Sequence, residues 1–177
     1  MSVVLLILSI VFFTAAVAFI FIREMLAPLA SFLGLLFMWL SKALPINNNM
    51  IIMWLCMTVL VICLPMLQDS AMRSRRDGLG YMTAGGFTGM AIGLLGISFA
   101  STANMLYGIM IVATLAGIFF GFMLYGNTPT GKQRNPAFSR SFNYLLAKGF
   151  PLAVTIIQIG IVFVLLVYIN QPNYYVN

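Results

Sequence analysis

YMTAGGFTGMAIGLLGISFASTANMLYGIMIVATLAGIFFGFMLY, residues 81–125, decides how the chain is read. Gly85, Gly89 and Gly93 recur every four residues, with Gly96 and Ala100 continuing the same side, and Ala113, Gly117 and Gly121 repeat the spacing in the second half. Four-residue spacing stacks residues on one helix face, so each half is predicted to be a helix with a groove floored by backbone. Ser101, Thr102, Ala103 and Asn104 make the turn between them. The two grooves either close on each other as an antiparallel hairpin, a glycine zipper, or stay open for a partner. This hairpin is expected to be the element around which the rest of the chain is organised.

The flanking sequence is of one kind. Of the 177 residues, 62% are apolar and only 7% are charged, where a soluble domain carries about 25% charged residues. Mean hydropathy is +1.05. The expected fold is all-α, a single polytopic transmembrane bundle over residues 1–177. Apolar runs of about 20 residues cross a bilayer, and five clear candidates are present with one shorter segment.

Ser2 to Ile22 has no basic residue before it, unlike a secretory signal peptide, and is expected to stay as the first span. Pro28 to Ser41 is short, so it is a short or tilted span or a re-entrant helix, which makes six spans or five. Trp39 and Lys42 mark its far end as an interface anchor. Met50 to Leu67 is the third span. The hairpin supplies two more, Tyr81 to Ala100 and Met105 to Tyr125, and Phe150 to Ile169 is the last.

Nine Lys and Arg stand against three acids and no His. Arg73, Arg75 and Arg76 lie in one loop and Lys132, Arg134, Arg140 and Lys148 in the stretch 126–149. With both loops on the cytoplasmic side, a six-span chain has a strong positive-inside asymmetry, which suits a bacterial inner membrane. Within that stretch Phe138, Phe142 and Leu145 follow helical spacing while the polar residues do not. An amphipathic helix from Pro136 to Gly149 is therefore expected, set either on anionic headgroups or on a neighbouring subunit.

Candidate chemistry is sparse. Gly126 to Gln133 approaches the phosphate-loop pattern but has Gln133 where a hydroxyl should hold magnesium, and a membrane span precedes it. A turn-rich loop is the simpler expectation. Cys56 and Cys63, seven residues apart on one apolar segment, are expected to be small core residues. Gln158, mid-way along the last span, is expected to seek a polar partner on another helix, whereas Thr58 and Thr155 can bond to their own helix carbonyls. Glu24, Asp69 and Asp77 all fall near segment ends, which is a poor inventory for acid–base chemistry.

The hairpin resembles the rotor-ring subunits of rotary ATPases, which also pair a glycine-striped helix with a second helix. Those subunits carry an ion-binding carboxylate in the membrane, and residues 105–125 have none. What the pattern supports is packing. The expected function is a non-catalytic integral membrane subunit that packs or scaffolds a larger membrane complex of the secretion, conjugation or energy-transducing type. The alternative is a small transporter or pore. Expected partners are other membrane subunits or further copies of this chain, and anionic lipid headgroups, with no nucleic acid, cofactor or metal.

Overall fold

A computed structural model describes residues 2–63, 78–96, 102–134 and 143–169. Every regular element among them is helical. In chain order these are α1 (Ser2–Ile22), α2 (Ala27–Leu40), α3 (Asn48–Cys63), α4 (Leu79–Leu95), α5 (Ala103–Asn127), the short α6 (Pro129–Arg134), a π-helical turn (Leu145–Gly149) and α7 (Phe150–Ile169). Among the described residues, three stretches are long and apolar enough to cross a membrane: Val3–Ile22, Asn104–Asn127 and Leu145–Val167. The shorter apolar helices α2, α3 and α4 have 14, 16 and 17 residues, or about 21 to 26 Å at 1.5 Å per residue.

Local sequence explains several boundaries. Pro28 occupies the first turn of α2, where its missing N–H costs no helical bond. Thr102 caps α5, its side chain accepting from the Met105 N–H at 3.3 Å. α4 begins at Gly78, whose φ of 76° lies in the left-handed region. A Cβ there would also collide with the Tyr125 ring, so the position requires glycine twice over. At the far end of α2 it is Lys42, with φ 55°, that turns the chain. Trp39 then donates to the Asn48 side chain at 3.2 Å, tying the end of α2 to the start of α3.

Helix directions follow from the pairs that touch. Ser9 on α1 donates to the Gly34 carbonyl at 2.8 Å, and the Phe12 and Phe37 rings lie 5.3 Å apart, so α1 and α2 are antiparallel. On α4 and α5, Gly85 faces Gly117, Gly89 faces Ala113 and Tyr81 faces Gly121, one antiparallel register over about two turns. Gly86 packs on Ile156 and Met90 on Gly160, so α4 and α7 run the same way.

The centre of the bundle is α7 and not the hairpin. Every residue from 151 to 162 is buried, and 78% of the most apolar stretch of this segment is buried, against 17% in α1 and 28% in α5. A helix apolar on all sides is stable only when surrounded, and α1, α2, α3, α4 and α5 all pack against it. The hairpin is peripheral: one face of each glycine helix meets the other while Val112, Phe120 and Leu124 face outward. The cysteines are likewise displaced from expectation. α3 packs through the narrow seam Ile51, Trp54, Thr58 and Val61, so Cys56 and Cys63 fall on its exposed side as free thiols.

Candidate functional site

Two kinds of helix contact meet around α7. In the hairpin, the glycines let backbone touch backbone. A Cβ on Gly85 would overlap the Gly117 carbonyl, one on Gly89 the Ala113 carbonyl, and one on Gly121 the Tyr81 carbonyl. A Cβ on Gly93 would stand 2.6 Å from Met110 Cα, and Gly96 faces Ile109. The candidate packing residues Gly85, Gly89, Gly93, Gly96, Ala113, Gly117 and Gly121 thus lie along one line of contact within this chain. Ala100 is outside the described residues.

The second contact is polar. Gln158, fully buried on α7, accepts from Ser31 Oγ on α2 at 2.5 Å and donates through Nε2 to Thr58 Oγ1 on α3 at 2.9 Å. Thr58 in turn donates to the Trp54 carbonyl at 2.7 Å, and the Pro28 carbonyl lies 3.1 Å from Ser31 Oγ. Three helices are joined at one amide. Ser31 carried no sequence signal beyond being a lone hydroxyl in an apolar run, and Thr58, expected to bond only to its own helix, does that and also receives Gln158. Trp54 Nε1, one turn before Thr58 and buried, has no hydrogen-bond partner among the described residues.

The third feature corrects the expectation for Lys148. In place of an exposed position on a headgroup face, its side chain is 3% exposed, and Nζ donates to Glu24 Oε1 in the turn between α1 and α2. Glu24 is 16% exposed. Its other oxygen, Oε2, is buried without a partner among the described residues. The reason lies in the local fold: residues 145–149 form a π-helical turn that runs straight into α7. The segment expected to lie flat therefore enters the bundle at its C-terminal end, with Tyr144 stacked on Phe122. Pro136, Phe138, Arg140 and Phe142 lie outside the described residues, as do Arg73, Arg75, Arg76, Asp69 and Asp77.

The pair is also recessed. Gly149 packs against Ile118, which precedes Tyr125 by seven residues on α5, about 10 Å along the helix axis. Tyr125 and Tyr81, with ring centroids 5.9 Å apart, close the hairpin at that end. Beyond them Thr128 accepts from the Gly131 N–H at 3.0 Å and starts α6, which contains Lys132 and Arg134. The phosphate-loop look-alike is accordingly a helix end, a bend and a short helix.

On the outer side of the π-helical turn lies an apolar groove of about 180 Å³. Its walls are Leu115, Ile118 and Phe119 of α5 and Leu145, Leu146 and Gly149 of the turn. Among the described residues, no three of His, Cys, Asp and Glu converge as a metal site would require. Comparison with known proteins finds no matching family model, no matching curated protein and no matching solved structure.

Proposed function

We propose that the chain is a six-span inner-membrane protein of bacterial type whose role is non-catalytic, packing or scaffolding other subunits of a membrane assembly. The observation that carries this is how the glycines are used. The small-residue faces of α4 and α5 are spent on each other and α7 is covered by its own chain, while α3 and α5 keep broad apolar outer faces including Leu55, Val59, Val112 and Phe120. A self-contained core with uncommitted apolar flanks suits a protein whose partners sit beside it in the membrane. The hairpin is, on this proposal, a glycine zipper internal to one subunit. The helix directions and the basic composition of residues 126–149 favour both termini on the outer side.

Native mass spectrometry of the protein extracted from its own membrane in mild detergent tests the proposal. Heteromeric peaks that survive extraction are expected. A stable monomer with no copurifying chain counts against it.

The polar junction favours a second reading, a small transporter, because Gln158, Ser31 and Thr58 place hydrogen-bonding groups deep between helices. Solute flux in proteoliposomes above that of empty vesicles, lost in Gln158→Leu with the fold intact, would favour transport over scaffolding.

A further inference from the structure

We propose that α7 is a keystone: it docks between two hairpins, α1–α2 and α4–α5, that close without it, and it is the first helix to separate when the bundle is loosened. This holds whether the chain scaffolds or transports. Each hairpin is closed by contacts of its own. Gly85 meets Gly117, Gly89 meets Ala113 and Gly93 meets Met110, so α4 and α5 touch through backbone without the help of α7. Helices α1 and α2 are joined by Ser9 to the Gly34 carbonyl, 25 positions apart, and by the Phe12 and Phe37 rings. By contrast, α7 is the last helix among the described residues. Its polar ties reach back 100 positions to Thr58, 124 to Glu24 and 127 to Ser31. Contacts between neighbouring segments close shorter loops, at a smaller entropic cost than such distant ones.

The polar groups divide in the same way. When α7 withdraws, Thr58 keeps its bond to the Trp54 carbonyl at 2.7 Å and Ser31 turns to the Pro28 carbonyl at 3.1 Å. Neither hydroxyl at the junction is left unpaired in the membrane. The loss falls on α7 itself, where Gln158 gives up its bonds to Ser31 and Thr58 and Lys148 is parted from Glu24. What α7 shares with α4 and α5 is apolar, Ile156 against Gly86 and Gly160 against Met90 and Met110. Lipid tails replace such contacts without the penalty that water would impose.

Energy transfer between two dyes on the full chain, titrated from mild detergent into SDS, tests the order of separation. Cys56→Ser with Cys63→Ser removes the two exposed thiols. In that background one protein receives Thr88→Cys with Val112→Cys, at exposed positions on α4 and α5. Another receives Leu40→Cys with Leu166→Cys, at exposed positions on α2 and α7. Those two helices run the same way, since Glu24 and Ser31 meet Lys148 and Gln158 in that order. Transfer between α2 and α7 is expected to fall at lower SDS than transfer between α4 and α5. Gln158→Leu and Ser31→Ala each move the first fall to still lower SDS and leave the second in place, and the use of two variants guards against misfolding of one. A single shared midpoint for both dye pairs overturns the keystone, as does earlier opening of α4–α5. Junction variants that shift both falls equally, or neither, overturn it as well.

Discussion

The α4–α5 hairpin and the junction around α7 solve the same problem by opposite means. In a membrane no hydrophobic force draws apolar helices together, so association relies on close packing and on polar contacts. The hairpin uses only shape: glycines remove the side chains, and carbonyls rest on facing backbone. The junction uses chemistry, with Ser31, Thr58 and Gln158 joining three helices and Glu24 with Lys148 fixing a fourth contact. A shape-based contact tolerates no added atom. A hydrogen-bonded one tolerates loss when the remaining groups can turn to other partners.

That difference sets the order of expected effects. Gly89→Leu drives a side chain into the Ala113 carbonyl of α5, where backbone cannot move aside. Overpacking typically costs about 1 to 3 kcal/mol and occasionally more, and with backbone as the obstacle the upper end is expected, so SDS titration of the purified protein should show a hairpin that no longer closes. A Gly89→Leu protein as stable as wild type would mean that α4 and α5 are not in backbone contact. Lys148→Met comes next, because it strands the Glu24 carboxylate in a buried setting. Breaking a buried pair from one side costs about 3 kcal/mol, reduced here by the partial exposure of Glu24. Adding Glu24→Gln should restore most of the loss in the same titration, and failure of that rescue would assign Lys148 a role outside the pair.

Gln158→Leu should cost less despite complete burial. Ser31 and Thr58 keep bonds to the Pro28 and Trp54 carbonyls, so no hydroxyl is orphaned, and the loss is that of an interhelical bond, about 0.6 to 1.7 kcal/mol. A loss of several kcal/mol would show that the junction holds something more than these two bonds. The smallest effect sharpens the comparison from within one helix. Gly108 lies on the open side of α5 with nothing within 4 Å of where a Cβ would stand. Gly108→Ala should stabilise by about 0.5 to 1 kcal/mol through helix propensity, opposite in sign to Gly89→Leu. Destabilisation by that alanine would reveal a partner on the outward face.

Much of the helical layout was legible in the chain. Apolar length and terminators place α1 at Ser2–Ile22 and α7 at Phe150–Ile169; the fourth helix starts two residues before the expected Tyr81 and the fifth runs two residues beyond expectation at each end, while the expected end of the fourth at Ala100 lies outside the described residues. Such boundaries are local, set by Pro28, Thr102 and the run of apolar residues itself. Relative position was harder to read. Helix α7 has the same apolar content on every side as α1, and composition cannot tell a helix wrapped by neighbours from one wrapped by lipid. The cysteines were misplaced for that reason: in an apolar helix, the buried seam is chosen by the neighbours. Ser31 and Glu24 were not legible as site residues, because their partners lie 127 and 124 positions away.

The sequence by itself determined that this is an all-helical chain of membrane character, where its helices run, and that two of them carry backbone-floored faces, because periodicity and apolar length are properties of a single segment. Only the tertiary structure decided which helix is central, that the glycine faces meet each other, and that Lys148 turns inward to Glu24. Those outcomes depend on which surfaces are close in space, and burial, unlike periodicity, belongs to a pair of segments and not to either one.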